Sequence, residues 1–272
     1  MKRLMRWLLG LTLCCCLGYA SQASAGSVTL YDDGNPADGD MTVNYMFPSQ
    51  TTSASCAGDT CPYSNSPPDV TTITVEWDDA TNALTKITIT SINGFPTGFD
   101  SLYINSDYTS NISDLENWDY YVLTRSDAVS RSLNVNSGQA LPGNGIYQVV
   151  ANFDPSMYTT ATDGRVGHAN GIDSAALSSQ VFADSTSPAA SQIVQQTNYG
   201  TYSTLVYDFS SLGTSIILGD NFAIGYTPYC ANDVVLVAGS TGKAAVPEPA
   251  SMALFGMGLV SLATWRIRRE KR

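Results

Sequence analysis

Residues 72–92 read TITVEWDDATNALTKITITSI and carry the clearest strand–turn–strand pattern in the chain. Ile73, Val75 and Trp77 alternate with polar residues before the turn-like run DDATN, and isoleucines alternate with threonines after it. Apolar residues at every second position place one face of a strand in a core, while Asp and Asn favour tight turns. The stretch therefore predicts a β-hairpin with one buried face, on which Trp77 lies.

Short runs rich in Thr, Val, Ile and Tyr recur along the chain, separated by Gly, Asn, Asp and Pro. Besides the hairpin, whose second strand spans 84–92, strands are predicted at residues 28–31, 42–47, 102–104, 120–124, 146–153, 204–209, 222–226 and 234–238. Many short strands with turn signals and almost no helical periodicity favour an all-β fold, a single jelly-roll-like β-sandwich. Residues 154–187 read as long loops with a short helix near 174–180, and Pro188 favours a helix over 187–196.

The N-terminus has the pattern of a secretory signal peptide over residues 1–25. Lys2, Arg3 and Arg6 precede an apolar run at 8–17, and Ala23-Ser24-Ala25 (23–25) has the small-x-small form of a cleavage site. Cysteines at 14–16 raise a lipoprotein signal as the alternative, although the residues before them are not small. The mature chain is predicted to begin at Gly26.

The C-terminus combines three features in order. Pro247, Glu248 and Pro249 precede an uncharged run at 250–265, which is shorter than the roughly 17–25 residues of most spanning helices. Basic residues follow at once and predict a cytoplasmic tail at 266–272. They are Arg266, Arg268, Arg269, Lys271 and Arg272.

These three features together resemble the PEP-CTERM sorting signal of exported bacterial surface proteins. The resemblance implies an exported domain at 26–240, a linker with the Pro-Glu-Pro motif at 241–249 and a single transmembrane helix at 250–265. It also implies transient anchoring in the inner membrane and cleavage by an exosortase, a sorting transpeptidase or protease. The domain would then reach the cell envelope or the extracellular matrix of a biofilm. An ordinary C-terminal membrane anchor is the alternative.

Charge and motifs narrow the function of the exported part. Residues 26–246 hold five Lys or Arg against 22 Asp or Glu, which gives a formal charge of −17 and argues against nucleic acid as a partner. The chain has no G-x-S-x-G or H-E-x-x-H motif, and His168 is its one histidine. A non-enzymatic surface protein without a catalytic residue or cofactor is therefore expected. A carbohydrate-binding module or a hydrolase of matrix polysaccharide is the alternative, with Trp118 and Tyr120 either at a rim or in the core.

Three cysteines follow the signal peptide. Cys56 and Cys61 enclose four residues that include a glycine, and an oxidising exported setting allows them to form a disulfide. Cys230 is then left over, either buried and inert or available for cross-linking.

An acidic loop follows the first predicted strand. Asp32, Asp33, Asp38 and Asp40 lie within nine residues, and carboxylate oxygens at this density suit Ca²⁺. The spacing is not that of an EF-hand loop, so a solvated acidic loop stands beside the calcium site as an interpretation.

Overall fold

The computed structural model describes residues 25–32, 69–92, 101–124, 143–160, 169–185, 191–199, 202–213, 215–227 and 234–242. The strands in this part of the chain are β1 (Ala25–Tyr31), β2 (Asp69–Asp78), β3 (Leu84–Ile92), β4 (Ser101–Asn105), β5 (Tyr120–Leu123), β6 (Gly145–Val149), β7 (Tyr158–Thr160), β8 (Ala169–Ile172), β9 (Leu177–Ala183), β10 (Val194–Tyr199), β11 (Tyr202–Asp208), β12 (Asn221–Thr227) and β13 (Val235–Ser240). The same described ranges contain three short 3₁₀ turns, at Ile112–Asp114, Pro155–Met157 and Ser174–Ala176. The mostly β prediction is confirmed.

The predicted hairpin forms the centre of the first sheet, whose strand order is β1-β2-β3-β11-β10. Strands β2 and β3 pair antiparallel, with Thr74 opposite Thr88. Asp78 closes the turn between them, because its carboxylate accepts hydrogen bonds from the backbone N–H of Ala80 and from Thr81. These bonds, the Thr81 side chain first, lower the pKa of Asp78.

The second sheet has the strand order β13-β12-β4-β5-β6-β9, with antiparallel pairing throughout. Side chains of both sheets, including Ile73 and Ile89 of the first and Ile104 and Ile224 of the second, form one buried apolar cluster. Two antiparallel sheets that share a core are how a β-sandwich is built. The jelly-roll-like chain path stays a prediction.

The second sheet is also covered on its other face. Leu102 and Ile104 belong to the core between the sheets, whereas Tyr103 between them belongs to a second buried cluster. That cluster includes residues from the 106–118 loop and the β7–β8 hairpin. Burial on both faces explains why β4 is buried along its whole length, instead of alternating as strands with one wet face do.

The outer face of the first sheet remains partly exposed among the described residues. Threonines occupy it in neighbouring strands, and the Thr29 and Thr74 hydroxyls lie 2.9 Å apart. Lys86 and Glu76 form an ion pair of 2.8 Å between β3 and β2. The alternation predicted for the hairpin therefore holds, with isoleucines inward and threonines outward.

Two predictions about secondary structure are wrong. The helix expected over 187–196 gives way to strand β10 from Val194, and the loop region 154–187 contains β7, β8 and β9. Only Ser174–Ala176 adopts a short 3₁₀ turn where a helix was expected near 174–180. Strands β9 and β10 lie at sheet edges, so each pairs with a partner strand on one side only. Edge strands tolerate polar residues, and here these replace the alternating apolar pattern.

The chain divides into two compact units, residues 1–241 and 242–272. Almost all of the second unit, which includes the predicted transmembrane run, lies outside the described residues. The predicted signal peptide up to residue 24 also lies outside them. Within the described ranges, none of the helical segments has the length and apolar character that crossing a bilayer requires.

Candidate functional site

An open pocket of about 500 Å³ lies at one end of the second sheet. Strand β4 ends there, β5 begins there and β6 ends there, because neighbouring strands run antiparallel. The backbone continues the ladder into the pocket, since Asp119 N–H donates to Ile104 O and Val149 N–H donates to Asp119 O. The lining residues are Ser106, Asn117, Trp118, Asp119, Tyr120, Gln148, Val149, Val150, Ala151, Asn152 and Phe153.

Asp119 joins the two ends of the connection between β4 and β5 at this pocket. Its Oδ2 accepts hydrogen bonds from the Ser106 backbone N–H at 2.7 Å and from the Ser106 hydroxyl at 2.6 Å. Two donors from one residue fix the carboxylate in a single orientation. Asp119 is also the one charged residue among the lining residues.

At least three polar side chains in the lining keep hydrogen-bonding capacity. Gln148 Oε1 accepts a hydrogen bond from the Ser179 hydroxyl at 2.8 Å, which leaves its Nε2 group without a bond to any described residue. Asp119 Oδ1 and the Asn152 amide likewise make no hydrogen bond with described residues. Groups of this kind are what a polar ligand requires from a protein surface.

Asn152 has a left-handed backbone conformation, with φ of 69°. Asn adopts this conformation more readily than most residues, so it makes a sharp turn at the pocket wall shortly after β6. The run Asn152-Phe153-Asp154-Pro155 (152–155) has turn character that sequence reasoning could have noticed. Nothing in the sequence brings Asn152 next to Asp119, because that proximity depends on the pairing of β5 with β6.

A buried hydrogen-bonded chain stands behind the pocket. Trp118 Nε1 donates to the Tyr158 hydroxyl at 2.6 Å, and that hydroxyl donates to Glu116 Oε2 at 2.8 Å. Burial, with the charge of Glu116, raises the pKa of Tyr158 well above its ordinary value. Tyr158 is therefore a fixed donor at neutral pH, and it ties the β7–β8 hairpin to the 106–118 loop.

An aromatic cluster packs around this chain and consists of Tyr103, Trp118, Tyr121, Phe153 and Tyr158. Tyr103 is its centre, with ring centroids of Trp118 and Tyr121 both at 5.3 Å. Trp118 is 2% exposed, which confirms core packing over a position at a rim, as Trp77 in the other core also does. Tyr120 is half-buried, and both Trp118 and Tyr120 line the pocket.

Most residues singled out from the sequence lie outside the described residues. Asp32 is the described member of the acidic loop, and its backbone N–H donates to Thr71 O just after β1. The other three aspartates, the three cysteines after the signal peptide and His168 have no described position. Within the described ranges, no group of three or more His, Cys, Asp or Glu residues is arranged to hold a metal ion. The calcium site and the Cys56–Cys61 disulfide stay predictions.

Comparison with known protein families finds a PEP-CTERM protein-sorting motif at residues 245–269. This stretch contains the Pro-Glu-Pro segment, the uncharged run and the first three arginines of the tail. The motif marks an exported protein that exosortase processes and that is anchored in the membrane at its C-terminus before processing. No match was found among curated proteins or among solved structures.

Proposed function

We propose that this chain is a non-enzymatic protein of the cell surface or extracellular matrix, delivered there by its sorting motif. The motif at residues 245–269 is the observation that carries the proposal, because it indicates export and exosortase processing. A domain built from two antiparallel sheets with a strongly negative net charge suits this setting, because a net charge far from zero keeps a protein soluble.

The processing route is tested by the termini of the protein recovered from a host that has the sorting enzyme. We expect a mature chain that begins at Gly26 and ends near Pro247-Glu248-Pro249 (247–249), as measured by intact mass and terminal peptides. The matched variant replaces both prolines, Pro247→Ala with Pro249→Ala, and should retain the C-terminal tail. A wild-type surface protein that still ends at Arg272 contradicts the proposal.

Carbohydrate binding is the second candidate function, and the pocket at the end of the second sheet favours it. A hydrolase of matrix polysaccharide has less support, because common glycosidases place two carboxylates across the scissile bond. Among the lining residues of this pocket, Asp119 is the one carboxylate. Incubation with matrix polysaccharide separates the two: binding without new reducing ends supports a binding module.

A further inference from the structure

We propose that the pocket lined by Asp119, Gln148 and Asn152 binds a neutral sugar residue of a polysaccharide. This inference rests on the second candidate function, carbohydrate binding, and adds to it a site and a class of ligand. It depends on the geometry of the pocket and not on where the protein is finally delivered.

The charge of the pocket selects against ionic ligands. Its lining contains one carboxylate and no basic residue. Lys86 is the one basic residue among all described residues. It lies in the first sheet, away from this pocket, and forms an ion pair with Glu76. An anionic sugar would therefore meet repulsion without a compensating cation. A divalent cation would find one carboxylate, whereas tight calcium sites in proteins combine several.

The remaining polar groups match the hydroxyl groups of a sugar. A sugar hydroxyl both donates and accepts, so it can donate to Asp119 Oδ1 and accept from the amide groups of Gln148 and Asn152. Apolar atoms of Val149, Val150 and Phe153 complete the wall, which suits the C–H faces of a pyranose ring. A volume of about 500 Å³ falls within the range of small-molecule sites.

Hydrogen bonds within the protein hold two of these polar groups and the wall behind them. Ser106 fixes Asp119, Ser179 fixes Gln148, and the buried chain of Trp118, Tyr158 and Glu116 supports the wall. Preorganised groups lose little conformational freedom on binding, so the few hydrogen bonds that this pocket offers a sugar residue can contribute to affinity.

Two variants remove pocket groups whose side chains lie at the surface of the fold. Asn152→Gly deletes the amide and keeps the left-handed backbone conformation that glycine adopts freely. Gln148→Ala deletes an exposed side chain whose one hydrogen bond to a described residue is with Ser179. Ser110→Gly is the matched control, because Ser110 also has a positive φ, of 66°, and does not line the pocket.

The full-length chain, purified in a detergent without a sugar headgroup, is titrated calorimetrically with cellohexaose, maltohexaose, laminarihexaose and the anionic hexagalacturonate. We expect at least one neutral oligosaccharide to bind the wild-type chain. Its affinity should be about two- to tenfold lower for Asn152→Gly and for Gln148→Ala, and unchanged for Ser110→Gly. Melting curves of all variants verify that each is folded.

Each other result overturns the proposal in a distinguishable way. Neutral binding that both pocket variants retain places the sugar elsewhere and leaves carbohydrate binding standing. Absence of binding to all three neutral oligosaccharides removes both the site and the second candidate function. Stronger binding of hexagalacturonate contradicts the neutral class of ligand. None of these results bears on the processing route.

Discussion

Tyr158 links the β7–β8 hairpin to the 106–118 loop, the two segments that cover the second face of the second sheet. Its hydroxyl accepts a hydrogen bond from Trp118 and donates one to Glu116, within the buried aromatic cluster. Replacing Tyr158 with Phe leaves Trp118 Nε1 without this acceptor and removes the bond to a carboxylate. We expect a loss of about 2 kcal/mol in the free energy of unfolding, measured by urea titration. An unchanged midpoint contradicts a structural role for this chain of bonds.

The same residue predicts how stability falls in alkali. The folded-state pKa of Tyr158 is raised above its unfolded value, so the protonated form is favoured in the folded protein. Its contribution is complete below the unfolded pKa of about 10 and is lost as pH rises toward the folded pKa. Burial raises the pKa of Tyr147 and Tyr108 in the same direction. We therefore expect Tyr158→Phe to lose less stability than the wild type between pH 9 and 11, with Tyr202→Phe, at an exposed site, as control.

Ser91 and Ser203 are inward-facing serines on paired strands with opposite hydrogen-bonding states. Ser203 Oγ donates to Asn198 Oδ1 at 2.7 Å, whereas the fully buried Ser91 Oγ has no hydrogen-bond partner among the described residues. A buried hydroxyl without a partner costs free energy. We expect Ser91→Ala to raise the free energy of unfolding by about 1 kcal/mol and Ser203→Ala to lower it by a similar amount. A destabilised Ser91→Ala protein would reveal a partner for this hydroxyl.

Strand β9 joins the second sheet at a glycine of β6. Gly145 has φ of 155°, and a Cβ placed there would collide with the backbone carbonyl oxygen of Phe182 in β9. Gly145→Ala should therefore separate the two strands, with a loss of about 1–3 kcal/mol and faster hydrogen exchange over 177–183. Gly143→Ala is the control, because nothing lies within 4 Å of a Cβ at that position. Equal exchange in β9 of both variants contradicts this account.

At the level of elements, the strands that the sequence predicts are those whose burial alternates or is complete. The β2–β3 hairpin alternates isoleucine with threonine, and β12 is apolar because both faces of its sheet are covered. Strands β9 and β10 escaped prediction because edge strands tolerate runs such as SSQ and QQTN. The pocket escaped prediction for a different reason. Its residues come from the ends of three strands, and only their pairing brings Asp119, Gln148 and Asn152 together.

At the scale of the whole molecule, the exported part has an excess of negative charge that its fold does not neutralise. Residues 26–246 contain 22 acidic and five basic residues, and the described ranges contain one ion pair, between Lys86 and Glu76. Self-repulsion of this kind destabilises a compact state and is screened by salt. We expect the melting temperature of the full-length chain to rise as NaCl increases from 20 to 300 mM. A constant or falling melting temperature contradicts this expectation.

A calcium arm of the same experiment distinguishes the two interpretations of the acidic loop. Screening alone makes CaCl₂ and NaCl equivalent at matched ionic strength, whereas a site formed by Asp32, Asp33, Asp38 and Asp40 adds RT ln(1 + [L]/Kd), about 2.7 kcal/mol at a hundredfold excess over Kd. If calcium binds only the folded chain, EDTA must also reverse the shift in melting temperature. An additional shift that disappears when Asp38→Ala is combined with Asp40→Ala assigns the ion to this loop. Equal melting midpoints in CaCl₂ and NaCl favour a solvated loop. A calcium-specific shift that the double variant retains also favours it, because the ion then binds elsewhere.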